Sequence, residues 1–126
     1  MTDFESSRPI YSQLAERINK QVLSGALKPG DKLPSVREMG MQANVNPNTV
    51  QRTYRELEAT GVVETRRGQG TFVTENEDTL HAMRDRLKLE EISEFVKSMH
   101  ALGYTDTEIE DGLKAFLQNK KGEGEL

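Results

Sequence analysis

Two short runs decide the fold: Leu33-Pro34-Ser35-Val36-Arg37-Glu38, and Asn44-Val45-Asn46-Pro47-Asn48-Thr49-Val50. Ser35 and Glu38 have the spacing of a capping box, in which each side chain satisfies the other's free backbone donor, so a short helix starts here and runs to about Ala43. Asn46 is a natural N-cap and Pro47 suits the first position of the next helix, where its missing N–H would have been unpaired anyway. Val50, Tyr54 and Leu57 then face inward until Gly61 stops the helix. Two short helices about four residues apart form a helix-turn-helix pattern.

The flanks complete a winged version of that motif. Upstream, Ile10, Tyr11, Leu14, Ile18, Val22 and Leu23 recur at three- and four-residue steps after Pro9, which predicts an amphipathic helix ended by Gly25. Lys28-Pro29-Gly30-Asp31 reads as a turn. Downstream, Val62 to Thr65 and Thr71 to Val73 read as strands around Arg66-Arg67-Gly68-Gln69-Gly70, whose glycines allow a tight hairpin.

After Val73 the chain turns polar and acidic. Residues 1–75 carry ten Lys and Arg against nine Asp and Glu; residues 76–126 carry seven against twelve. This asymmetry divides the chain into a near-neutral winged domain, 1–75, and an acidic helical region, 76–126. Leu80, Met83, Leu87, Ile92, Phe95, Val96, Met99 and Leu102 outline a long helix with a slip in phase near Leu89. Gly103 stops it. Thr105 and Glu108 repeat the capping-box spacing, and Ile109, Leu113, Phe116 and Leu117 give a last helix its apolar face. The tail from Lys120 reads as frayed. Two helices of this size cannot bury both apolar faces alone. A second copy of the chain is the simplest partner, with Leu80, Met83, Leu87, Ile92, Phe95, Met99, Leu113 and Phe116 as contact residues. The expected fold is mainly α with a small β-hairpin: an N-terminal winged helix-turn-helix plus a C-terminal two-helix dimerisation region.

The second helix of a helix-turn-helix presents its N-terminal side chains to base edges in the major groove. Here these are Asn46, Asn48, Thr49, Gln51, Arg52 and Arg55, with no acid before Glu56. Asn and Gln pair bidentately with adenine, Thr meets a thymine methyl or a phosphate, and Arg reads guanine or holds phosphate. Arg37 on the preceding helix, and Arg66, Arg67, Gly68 and Gln69 on the hairpin, extend the same surface. Arginine at a wing tip suits the narrow, negative minor groove of A·T-rich sequence.

Other chemistries are poorly served. The chain has no cysteine, which excludes disulfides and thiolate metal sites. His81 and Asp85, with His100 further along, lack a third ligand at metal-binding spacing, and no nucleophile stands beside a base. We therefore expect neither an enzyme nor a resident metal or cofactor. No apolar run approaches the roughly 20 residues of a membrane span, and Met1 to Arg8 contain Asp3 and Glu5 without an apolar segment; the chain reads as cytoplasmic.

From Pro9 to Val73 the sequence resembles the GntR family of bacterial regulators. The resemblance rests on Pro9-Ile10-Tyr11, on Leu27 to Glu38, on Asn46-Pro47-Asn48-Thr49-Val50, and on Arg67-Gly68-Gln69-Gly70-Thr71-Phe72-Val73. The short helical second part resembles the YtrA-like subgroup. By that resemblance Arg37, Asn48, Thr49, Gln51 and Arg52 would touch DNA, Arg67 and Gly68 would read the minor groove, and the chain would be a repressor that dimerises through its C-terminal helices. Many members carry Arg where this chain has Pro47, a departure that bears on base preference. Such a dimer implies double-stranded operator DNA with an inverted repeat, its recognition helices about 34 Å apart. A small-molecule effector would act through its differential affinity for two arrangements of the dimer. The rival reading is a winged-helix protein-interaction module without specific DNA binding.

Overall fold

The computed structural model describes residues 4–123. Five helices and one hairpin follow in the order α1 (Ile10–Ser24), α2 (Val36–Ala43), α3 (Pro47–Ala59), β1 (Val63–Arg66), β2 (Gly70–Val73), α4 (Glu77–Ala101) and α5 (Asp106–Glu123). The chain divides into two compact units, one ending at Arg84 and the other beginning at Asp85. The first turns of α4 thus belong with the winged unit.

Local chemistry places the helix ends of the first unit where the sequence puts them. Pro9 precedes α1, and Gly25 closes it at φ +89°, a left-handed conformation that costs glycine little. Ser35 Oγ accepts from the Glu38 N–H at 3.1 Å and Glu38 Oε1 accepts from the Ser35 N–H at 2.9 Å, completing the capping box of α2. These hydrogen bonds hold the Glu38 carboxyl below its usual pKa. Asn46 caps α3 by accepting from the Asn48 N–H at 2.7 Å, with Pro47 in the first turn.

One continuous core joins these elements. Leu14, Ile18 and Val22 of α1 are buried with Leu33, Met39 and Ala43, with Val50, Thr53, Tyr54 and Leu57 of α3, and with Val62, Val63 and Val73 of the hairpin. The strands pair antiparallel, Val63 opposite Val73 and Arg66 opposite Gly70. Residues 31–33, between the Lys28–Asp31 turn and α2, add a third edge: Lys32 bridges to Phe72, Val73 N–H donates to the Asp31 carbonyl and Leu33 N–H to that of Thr71, both at 2.8 Å. Gln13, itself buried, ties the segment before α1 to the helix. Its side chain accepts from the Glu5 N–H and donates to the Glu5 and Arg8 carbonyls.

Tyr54 links α3 to the entry of α2, its hydroxyl donating to the Pro34 carbonyl at 2.7 Å. Burial, reinforced by the charge of Glu38, keeps this phenol protonated well above the ordinary tyrosine pKa of 10.0. The folded pKa is raised, so this contribution to stability is full below about pH 10 and is lost as pH rises past it. Urea titrations between about pH 7 and 11 should show Tyr54→Phe about 1 kcal/mol less stable at neutral pH. The variant should also lack the alkaline loss assigned to this residue.

Met83 corrects the sequence reading. Helical periodicity groups it with the dimer-facing residues, yet it is 1 % exposed and lies inside the unit that ends at Arg84. α4 thus contributes to both units, which divide between Arg84 and Asp85. Asn76 caps α4, accepting from the Thr79 N–H at 3.1 Å.

The second unit is a helical hairpin turned at Gly103, φ +94°. The Thr105–Glu108 capping box forms as its spacing predicts. His100 Nε2 lies 2.6 Å from Asp106 Oδ1 across the turn. Ile109 is buried, whereas Leu89, Ile92, Phe95, Leu102, Tyr104, Leu113, Phe116 and Leu117 are each at least 41 % exposed in the single chain. α5 continues to Glu123, past the fraying expected at Lys120; the remaining tail lies outside the described residues.

Candidate nucleic-acid interface

The α2–α3 turn is tight enough to need a particular residue. Asn44 closes α2 at φ +57°. The Val45 N–H then donates to the Gly40 carbonyl at 2.8 Å. A Cβ on Gly40 would stand 2.8 Å from the Val45 carbonyl oxygen, so only glycine lets the turn fold back over α2. Arg37, Met41, Asn44, Asn46 and Pro47 line one open groove beside it. The turn thereby brings Arg37 and Asn46 together.

Along α3, Val50, Thr53, Tyr54 and Leu57 are buried while Asn48, Gln51, Arg52 and Arg55 are exposed. Residues three and four apart share a helix face, so these amide and guanidinium groups form one stripe. Thr49 is half-buried beside it. Asn46 is exposed, but its side-chain oxygen already caps the helix, which leaves its NH₂ as the group free to donate outward.

Arg52 does not extend freely into solvent. Its guanidinium carbon lies 3.8 Å from the centre of the Tyr11 ring on α1. Beneath that contact Thr53 Oγ1 shares its hydrogen between the Tyr11 carbonyl at 3.1 Å and the Thr49 carbonyl at 3.0 Å. The sequence places Tyr11 on a helix face and in the family signature, and neither shows its contact with Arg52.

The wing divides its predicted residues. Arg66 is the last residue of β1 rather than part of the turn; its guanidinium covers the Phe72 ring at 4.1 Å and its Nε lies 3.8 Å from Glu64. Arg67, Gly68 and Gln69 form the exposed tip, closed by the Gln69 N–H donating to the Arg66 carbonyl at 2.8 Å, with Gly68 at φ +76°. Lys32 belongs here too, although the sequence reading did not single it out. Its Cε lies 2.7 Å from where a Cβ on Gly70 would stand, so the glycine leaves room for the lysine stem across the wing.

Among the described residues, Arg37, Arg52, Arg55 and Arg67 form no ion pair with a carboxylate. Arg8, by contrast, is held by Glu5 and Glu16. The unpaired arginines make the α3 stripe and the wing tip locally cationic despite the net charge of −4. Such a surface attracts phosphate.

The profile of the bacterial regulatory proteins of the gntR family matches residues 10–73, the span from α1 through β2. The chain belongs to the GntR family. It is 51 % identical to the HTH-type transcriptional regulator YhcF of Bacillus subtilis, over 91 % of this chain and 95 % of that protein. It is 38 % identical to the HTH-type transcriptional repressor YtrA of the same organism, over 95 % and 93 %. A GntR family regulator from Listeria monocytogenes superimposes with a TM-score of 0.81 at 35 % identity, covering 89 % of this chain and 98 % of that one. The DNA-binding domain of AraR, in complex with operator ORX1, gives a TM-score of 0.55 at 26 % identity, over 59 % of this chain and 95 % of that one. The chain is thus a DNA-binding transcriptional regulator of the GntR family, with a winged helix-turn-helix and C-terminal helices. Among its described residues no group of three or more His, Cys, Asp or Glu could hold a metal, and no helix is long and apolar enough to cross a membrane.

Proposed function

We propose that the chain is a cytoplasmic, homodimeric repressor of an inverted-repeat operator, with the winged unit, which ends at Arg84, binding DNA and the helical hairpin from Asp85 onward joining the two copies. The unpaired amide and arginine stripe of α3 carries this reading. Asn48 and Gln51 read base edges in the major groove, Thr49 supports them from the half-buried edge, and Arg37 and Arg52 hold phosphates. Arg67, Gly68 and Gln69 approach the minor groove, with Arg66 fixed behind them on Phe72. The exposed apolar side chains of the α4–α5 hairpin supply the dimer face. An effector would act by favouring one arrangement of the two winged domains over another. The chain acts by binding rather than by catalysis.

Selection from a random duplex library, followed by titration of the enriched sequence at two salt concentrations, tests the proposal. An inverted repeat should emerge, with affinity falling steeply as salt rises. Arg37→Ala should weaken all duplexes about equally and reduce the salt slope by about one. Gln51→Ala should instead relax the preference at one base position. If no sequence is enriched, the inverted-repeat operator reading fails and the protein-docking reading moves ahead.

A further inference from the structure

We infer that Tyr11 is a positioning residue for DNA binding, its ring holding the Arg52 guanidinium ready to clamp a backbone phosphate. The inference rests on the proposed role of Arg52 as a DNA contact and adds the device that orients it. A cation within about 6 Å of an aromatic centroid is attracted by the negative face of the ring, and here the separation is 3.8 Å. Stacking uses that face and leaves the in-plane N–H donors outward. None is spent on a carboxylate among the described residues. A planar fork with free edges matches two phosphate oxygens.

The ring is itself anchored. The Tyr11 carbonyl accepts from Thr53 Oγ1 at 3.1 Å, and Thr53 is fully buried one residue beyond Arg52. On α1, Leu14 sits one turn from Tyr11 at 1 % exposure. Backbone and core therefore fix the platform before DNA arrives. A long arginine side chain loses rotamer freedom when it binds; a stacked one has lost much of it already. The stack also holds the Arg52 guanidinium on the α1 side of the stripe, against Tyr11. That placement favours the phosphate backbone, which fixes register, over a base edge, which carries sequence.

A double-mutant cycle on the selected operator, using the full-length protein, tests this. Arg52→Ala should weaken selected and unrelated duplexes alike and lower the salt slope by about one. Tyr11→Leu should weaken binding by about two- to fivefold, and Tyr11→Phe, which keeps the ring, should bind like the parent protein. The deciding variant combines Tyr11→Leu with Arg52→Ala and should bind no more weakly than Arg52→Ala alone. A purely structural Tyr11 would weaken binding whatever stood at position 52, so additive losses, or no loss with Tyr11→Leu, overturn the inference. Thermal melting of each variant separates misfolding from loss of contact. If Arg52→Ala alone leaves affinity and salt slope unchanged, the DNA role of Arg52 falls, and the inference about Tyr11 falls with it.

Discussion

Glutamate in place of both Phe95 and Phe116 is expected to turn the proposed dimer into a monomer and to weaken operator binding by about 10²- to 10⁴-fold. These side chains are 41 % and 52 % exposed in the single chain, so the substitutions touch neither the winged core nor a cap. Glutamate is a good helix former, and α4 and α5 should persist. Covering the exposed remainder of each phenylalanine is worth about 1 kcal/mol, whereas burying an unpaired carboxylate opposes association strongly. Two winged domains on one dimer make the second half-site contact intramolecular, and losing that link removes the effective-concentration gain without altering a single DNA contact. Sedimentation equilibrium should give the monomer mass, and titration against full and half operators should show similar affinity for both. A variant that stays dimeric would show that another surface joins the copies. A monomer with undiminished operator affinity would show that one winged domain suffices.

The features legible in the sequence are those written within a few residues. Ser35 with Glu38, Asn46 with Pro47, Gly25 and Gly103 each set a local backbone geometry, and each appears where its spacing puts it. What escaped depends on partners distant along the chain. Lys32 meets Phe72, and Arg52 meets Tyr11, only because helices and hairpin bring them together. Met83 was misplaced for a related reason: a single helical period cannot tell which of two cores a residue faces, and α4 contributes to both units. Asn46 was recognised both as a cap and as a DNA-binding candidate, but only the hydrogen bond to Asn48 shows that its oxygen is already engaged. Gly40 is different. A glycine inside a helix costs about 1 kcal/mol relative to alanine, and that local anomaly was available as a signal before any contact was seen.

Gly40→Ala converts this anomaly into a measurement. Helix propensity alone predicts a gain of about 1 kcal/mol, because α2 would lose its most flexible residue. The fold predicts the opposite sign. The new Cβ would lie 2.8 Å from the Val45 carbonyl oxygen, a backbone atom that cannot swing aside as a flexible side chain could. Relief requires moving α2 away from the turn, at a cost of about 1–3 kcal/mol net. The same movement disturbs the Val45 N–H bond to the Gly40 carbonyl and shifts Asn46 at the head of α3. Operator affinity should therefore fall even at temperatures where the variant remains folded. Urea denaturation and operator titration on one preparation decide the matter. A stabilised variant with parental affinity would mean that the turn adapts and that helix propensity governs position 40. Loss of both stability and affinity would show that glycine at this position sets the approach of the two helices on which the reading face depends.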